Sequence, residues 1–202
     1  MIASTPFPSP QRRVWPGRLA RLGALLALCL VAAFGCDDDG GGGGGPTPIP
    51  CLDYARSATP SPGTVVADDG TGSTCNVAVV DLIVTDVNDV FGASFNVRFD
   101  PAVVAFTGAS ASGSVLGANV DVVQNVVASG EVSVGITRRQ PDPGVDVVGG
   151  QRLIRLTFAR VATGNASSSL SFVNASLLDS SAPPQPIPGI TFSGGSMTVT
   201  TS

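Results

Sequence analysis

The chain has 202 residues, a formal net charge of −4, and neither Lys nor His. A protein so poor in cations is not expected to bind nucleic acid, where affinity comes largely from cationic groups on phosphates. General acid–base catalysis near neutral pH usually uses His, Lys, Cys or a paired carboxylate. Glu131 is the only glutamate and no serine has a candidate base, so the composition argues against an enzyme.

Residues 1–35 have the organisation of a secretory signal. Arg12, Arg13, Arg18 and Arg21 are the only charged residues in this segment, and they precede an apolar run from Leu22 to Gly35. That run is shorter than the roughly 20 apolar residues that a membrane-spanning helix needs. We therefore predict that residues 1–35 are a signal peptide and that the chain is exported.

The apolar run ends in Ala33-Phe34-Gly35-Cys36, which resembles the lipobox of bacterial lipoproteins, although Phe34 replaces the small or hydroxylated residue usual there. The resemblance implies that Cys36 is acylated and becomes the N-terminus. Two or more acyl chains, at about 0.8 kcal/mol per buried CH₂, hold a protein on a membrane. We expect a lipid-anchored protein of the bacterial cell envelope, on the exported side of the inner or the outer membrane. The alternative is an ordinary signal peptide and a chance cysteine.

Residues 36–50 are predicted to be the lipidated cysteine and a tether. The stretch after Cys36 consists almost entirely of Asp, Gly, Pro and Thr, and a flexible chain of that length spans on the order of 20 Å. The mature chain would hold seven Arg and fifteen acids, a net charge of −8.

Cys51 and Cys75 remain as an even pair in an oxidising compartment. We predict that they form a disulfide and that residues 51–75 are a disulfide-closed N-terminal segment. The alternative is two free thiols. No metal or other cofactor is expected, because a zinc site needs about four ligands and the chain has no His.

From Asn76 onward the sequence repeatedly shows the period of a half-buried strand. In EVSVGIT, residues 131–137, apolar Val132, Val134 and Ile136 alternate with small and polar residues. The same alternation places six further residues on inward faces: Phe95, Val97, Phe99, Ile154, Leu156 and Phe158. Other β-branched runs occupy residues 77–85, 103–107, 120–128, 170–178 and 190–200. Eight or nine short strands and almost no helix are expected, packed as two sheets.

The stretch FGASFNVRFDPAVVAFTGAS, residues 91–110, resembles a segment of cohesin domains in which an aromatic-Asp-Pro sequence ends one strand and an apolar strand begins two residues on. Residues 130–138, 151–161, 169–181 and 190–199 follow in the order and spacing of the later strands of that family. The resemblance implies that residues 76–202 form an all-β, nine-stranded jelly-roll sandwich of cohesin type. Cohesins dock a calcium-loaded dockerin, so protein docking is implied as well.

Two departures from the family bear on that partner. Gly92 and Ser94 stand where well-known cohesins place an Asn and an Asp that help to hold dockerin, so we expect weak dockerin binding or none. Asp86-Val87-Asn88-Asp89 begins like a calcium loop, but Val90 stands where an oxygen ligand is needed, and we interpret these four residues as a hairpin turn.

The predicted function is a non-catalytic, membrane-anchored binding module that docks a protein partner, with a dockerin-like protein as one candidate. We place partner binding on outward polar side chains of the middle strands, Asp121, Gln124 and Arg138, and on unpaired edge backbone. A polysaccharide-binding module on the same fold and a structural envelope lipoprotein remain alternatives. Tyr54 is the only tyrosine and Trp15 lies in the signal, which argues against a flat aromatic sugar platform.

Overall fold

The computed structural model describes residues 49–202. The predicted signal peptide, Cys36 and the tether up to residue 48 lie outside the described residues. Within 49–202, no helix is long and apolar enough to span a bilayer.

The described part of the chain folds into β-strands without an α-helix, as the alternating sequence predicts. There are eleven strands: β1 (Pro50–Arg56), β2 (Thr64–Asp69), β3 (Val77–Val90), β4 (Gly92–Arg98), β5 (Val104–Ser110), β6 (Val120–Ala128), β7 (Glu131–Arg138), β8 (Val145–Arg160), β9 (Ala166–Leu178), β10 (Thr191–Ser193) and β11 (Gly195–Thr201).

The strands form two sheets. The six-stranded sheet has the order β1-β11-β9-β4-β7-β6, and the five-stranded sheet has the order β10-β2-β3-β8-β5. All neighbouring strands are antiparallel except β10 and β2, which are parallel. The terminal strands β1 and β11 pair with each other, and β11 also pairs with β9, which places both in the six-stranded sheet.

The core lies between the sheets and is built from the predicted inward faces. Val132, Val134 and Ile136 of β7 are at most 2% exposed. Phe95 and Val97 of β4 and the inward residues of β8, Ile154, Leu156 and Phe158, are fully buried. Rings also meet edge to face, with 5.5 Å between the centroids of Phe95 and Phe172. The period of two therefore identified the buried faces correctly.

Residues 51–75 are part of the sandwich and not a separate N-terminal segment. Strand β1 pairs with β11 at the edge of the six-stranded sheet, and β2 pairs with β3 in the five-stranded sheet. Leu52, Val65 and Val66 are among the buried residues, which explains why this segment joins the core. The predicted disulfide between Cys51 and Cys75 is present and links β1 to the loop that precedes β3.

The hairpin turn predicted at Asp86–Asp89 is absent, because β3 continues through these residues. Asp86 and Asp89 have positive φ angles of 48° and 55°, and the register with β8 shifts on both sides of Val87. These register shifts are β-bulges, and the two carboxylates stabilise them. Asp86 accepts a hydrogen bond from the amide of Gly149 at 2.6 Å, and Asp89 accepts one from the Ser180 hydroxyl at 2.6 Å. The polar stretch therefore bends a strand instead of ending it.

Candidate binding surface

The outer face of the six-stranded sheet carries small polar side chains. Ser94 and Asn96 of β4 lie opposite Gly135 and Ser133 of β7. Ser94 is exposed, whereas Gly92 is buried and an added Cβ there would lie 2.6 Å from the carbonyl oxygen of Ile136. The position of Gly92, which the resemblance equates with an Asn of well-known cohesins, therefore has no room for an Asn side chain. On β4 and β7 this face offers hydrogen-bonding groups, and a large exposed apolar side chain, Val123, stands opposite Gly135 on β6 at the edge of the face.

One ion pair lies on this face where β4 ends and β7 begins. Glu131 of β7 accepts a hydrogen bond from Arg98 Nε at 2.9 Å and another from Asn96 Nδ2 at 2.7 Å. The hydrogen bond from Arg98, followed by that from Asn96, lowers the pKa of Glu131. The carboxylate is therefore ionised at neutral pH and is neutralised by its own neighbour.

Two of the predicted binding residues, Asp121 and Arg138, lie at one corner of the sheet, where β6 begins and β7 ends. Asp121 is exposed, but both of its oxygens accept from Arg139 Nε at 3.0 Å, and the hydrogen bond from Arg139 lowers its pKa. The Arg138 side chain is only 17% exposed and lies 3.4 Å from Asp142. Both residues are already engaged within the domain.

The third predicted residue, Gln124, is not on the outer face. It lies opposite Val134 of β7, so both side chains point toward the other sheet. Residues 121 and 124 are three apart, and side chains alternate along a strand, so the two cannot share a face. Gln124 Oε1 accepts the backbone amide of Ala109 in β5 at 2.8 Å. It thus joins the two sheets where they open at one edge.

Strand β6 is an edge strand, and the prediction that placed its residues on a middle strand is wrong. At nine residues it is the longest of the four edge strands, the others being β1, β5 and β10. Val123, Val126 and Val127 are 67%, 70% and 53% exposed, and they make up half of the exposed large hydrophobic residues between 49 and 202. The strand has no Lys or Pro, the residues that commonly protect sheet edges.

An apolar hollow of about 160 Å³ adjoins this edge, and we call it the β5–β6 hollow. The lining includes Phe99, Pro101, Phe106, Val126 and Val132, and within the part of the chain that the structure describes no charged side chain lines it. The Phe99 and Phe106 rings pack edge-on against Phe158 with centroids 5.5 and 5.6 Å apart. Phe99 faces the core side as predicted, but it is only half-buried because the sheets part here.

Sequence reasoning placed Asp121 and Gln124 of this strand in the binding site, but it did not identify β6 as an edge strand or predict the hollow. A signal was present in VDVVQNVVA, where paired valines break the alternation and place apolar side chains on both faces of the strand.

Other kinds of site have no counterpart in the described residues. Within 49–202, no three Cys, Asp or Glu side chains lie close enough together to hold a metal ion. Tyr54 is half-buried, and its hydroxyl donates to the carbonyl of Ala67 at 3.1 Å, so its ring is not an exposed platform.

The solved structures most similar to this chain include several cohesins. CaCohA2 from Clostridium acetobutylicum is 17% identical, with 77% of this chain and 96% of that module covered and a TM-score of 0.50. A non-cellulosomal cohesin from the archaeon Archaeoglobus fulgidus is 15% identical, with 60% and 78% covered and a TM-score of 0.45. A type II cohesin–X–dockerin complex from Acetivibrio cellulolyticus contributes a chain that is 14% identical, with 64% and 92% covered and a TM-score of 0.48. No family model and no curated protein matches the sequence.

The match to CaCohA2 establishes the fold. Residues 49–202 form an all-β sandwich with the cohesin fold, as the order and spacing of the strands had indicated. A likeness of this kind does not identify the ligand, because one fold supports many functions. The function has to be inferred from the surface of this chain.

Proposed function

We propose that this protein is a non-catalytic, membrane-anchored binding module of the bacterial cell envelope and that it docks a protein partner. The observation that carries the proposal is the edge of β6 on a domain with the cohesin fold: exposed Val126 lines an apolar hollow, and Val123 is exposed on the other face of the same strand. Exposed apolar surface grouped in this way is typical of protein interaction sites. On the outer face of the same sheet, Glu131 is paired with Arg98 and Asp121 with Arg139.

The outer face supports a partner other than a generic dockerin. Gly92 is buried, Ser94 is small, and Glu131 is already hydrogen-bonded to Arg98 and Asn96. A dockerin seated on this face would find few groups to anchor it. Calorimetric titration with calcium-loaded dockerins should therefore give weak binding or none, and submicromolar affinity for one of them would restore the full cohesin role.

The anchoring part of the proposal rests on the sequence. The apolar run before Cys36 and the Gly-rich stretch after it support a lipidated cysteine and a tether to the folded domain. The module would then stand on the exported side of its membrane, within reach of other envelope proteins.

The test is affinity capture from an envelope extract together with a glycan array. The proposal predicts one stoichiometric protein partner, eluted by competition with the untagged chain, and no signal on the array. A specific polysaccharide signal without a protein partner would favour the glycan-binding alternative. The absence of both would leave only the structural lipoprotein.

A further inference from the structure

We infer that the partner binds by adding an extended strand to β6, with one large apolar side chain in the β5–β6 hollow and a basic side chain next to Asp100. The inference rests on the proposed function and specifies the kind of partner. Strand β6 ends its sheet, so along its outer side the backbone N–H and C=O groups have no neighbouring strand among residues 49–202. Such an edge is a template for an added strand, and main-chain hydrogen bonds contribute to the affinity.

The other edges are less suited to this role. Strand β10 has three residues, and β1 is tied through Cys51 to the loop before β3. In β5 the backbone amide of Ala109 is already taken by the Gln124 side chain. That side chain crosses toward the other sheet and not along the plane of its own sheet, so the outer side of β6 stays open.

The hollow sets the size of the anchoring side chain. Its volume of about 160 Å³ is close to that of engineered apolar cavities of about 150 Å³ that hold a benzene molecule. Its walls are the rings of Phe99 and Phe106, the side chain of Val132 and the ring of Pro101. One Phe, Leu or Ile side chain of an added strand would fill it, and apolar anchors in such pockets carry most of the energy of an interface.

Charge distinguishes a basic partner from a second copy of this chain. Asp100 lies between the lining residues Phe99 and Pro101, is exposed, and forms no salt bridge with any residue of 49–202, although Oδ1 accepts the amide of Ala102 at 2.8 Å. Six of the seven Arg in 49–202 are held in salt bridges, and the segment carries a net charge of −5. A second copy would bring another acidic domain and no cation in its own β6. A partner strand with Lys or Arg complements Asp100.

The test measures amide hydrogen exchange of the full-length chain with synthetic probe peptides. The first probe is a ten-residue peptide of alternating Val and Thr that carries one Phe and, within two residues of it, one Arg. Its two controls replace the Arg with Glu or the Phe with Ala. We expect the first probe to slow exchange in residues 120–128 and not in 50–56. The Phe-to-Ala control should bind about tenfold more weakly, and the Arg-to-Glu control should lose a few-fold in affinity at low salt.

Three variants of the chain make the test specific. Val126→Asp should lose the protection, and Val148→Asp is its matched control because Val148, on β8, is even more exposed at 78%. Asp100→Asn keeps the oxygen that accepts the Ala102 amide and should remove the preference for Arg over Glu. Equal binding to Val126→Asp and wild type, or protection outside 120–128, would overturn the inference.

Two further outcomes separate this inference from the proposed function. If the chain alone shows protection of 120–128 that rises with its concentration, the occupant is a second copy and the inference is wrong. If an envelope partner is captured equally by Val126→Asp and Val148→Asp, the docking function stands and the β6 site is refuted. If no partner is captured at all, the docking function fails whatever the peptides do.

Discussion

Asp81 of β3 should stabilise the five-stranded sheet through a paired, largely buried charge. It is 8% exposed and lies opposite Arg155 of β8. Arg155 donates from Nε to Oδ1 at 2.7 Å and from Nη2 to Oδ2 at 2.8 Å, and Arg152 Nη1 lies 3.4 Å from Oδ2. Replacing Asp81 with Asn keeps the size of the side chain and removes the charge that both guanidinium groups face.

The expected cost of Asp81→Asn is about 2 to 3 kcal/mol in the free energy of unfolding at pH 7. Breaking a buried ion pair by removing one partner costs about 3 to 5 kcal/mol. The cost of Asp81→Asn should be lower than this because the side chains of Arg155 and Arg152 are 25% and 27% exposed, so water can hydrate them when the carboxylate is removed. Replacing Asp81 and Arg155 together with Leu should cost less than Asp81→Asn alone, since no unpaired charge is left in that pair.

The cost should depend on pH. Burial acts to raise the pKa of Asp81, but the hydrogen bonds and charges of Arg155 and Arg152 outweigh it and lower the pKa. A lowered pKa in the folded state contributes stability above the ordinary Asp pKa of about 3.9, and that contribution is lost as the pH falls through the folded value. The difference between wild type and Asp81→Asn should therefore shrink below about pH 4.

Urea denaturation at pH 7 and at pH 3 measures both quantities. Asp53→Asn is the control, since Asp53 is an exposed residue of β1 and its replacement should change the free energy of unfolding by less than about 0.5 kcal/mol. The reasoning is refuted if Asp81→Asn and Asp53→Asn cost the same at pH 7, or if the cost of Asp81→Asn does not change with pH.

Three further predictions concern the anchor, the core and the disulfide. Cys36→Ala should leave the chain without acyl groups and move it from the detergent to the aqueous fraction in phase partitioning, and an acylated, membrane-bound mutant would contradict the anchor. Phe95→Ala should cost about 3 to 5 kcal/mol in denaturant unfolding because Phe95 is fully buried. Phe99→Ala should cost clearly less because Phe99 is half-buried, and equal costs would mean that the hollow is closed. Replacing both Cys51 and Cys75 with Ser should lower stability by about 3 kcal/mol, and an unchanged unfolding midpoint would show that β1 needs no covalent tie.

The faces of the strands could be read from the sequence because burial repeats with the period of the backbone. The predicted run 120–128 coincides with β6, and the inward residues of β7 and β8 are buried as expected. The fold class followed from the same periodicity and from the order of the segments around Phe99-Asp100-Pro101.

What the sequence could not show is which strands become neighbours. The pairing of β1 with β11 joins opposite ends of the domain, and no local pattern in PCLDYAR predicts it. The position of β6 at an edge likewise depends on the order of the strands, so Gln124 was assigned to the wrong face and to a middle strand. At Asp86 and Asp89 the residues that favour a turn instead form bulges, because the neighbouring strand β8 continues past them.

The measurement that tests the central claim most directly is the affinity of the captured envelope partner for three forms of the full-length chain: wild type, Val126→Asp and Val148→Asp. Surface plasmon resonance at low and at high salt would give the equilibrium and rate constants. We predict that Val126→Asp weakens binding by about tenfold or more, that Val148→Asp matches wild type, and that salt slows association. Unchanged affinity for Val126→Asp would contradict docking at the edge of β6.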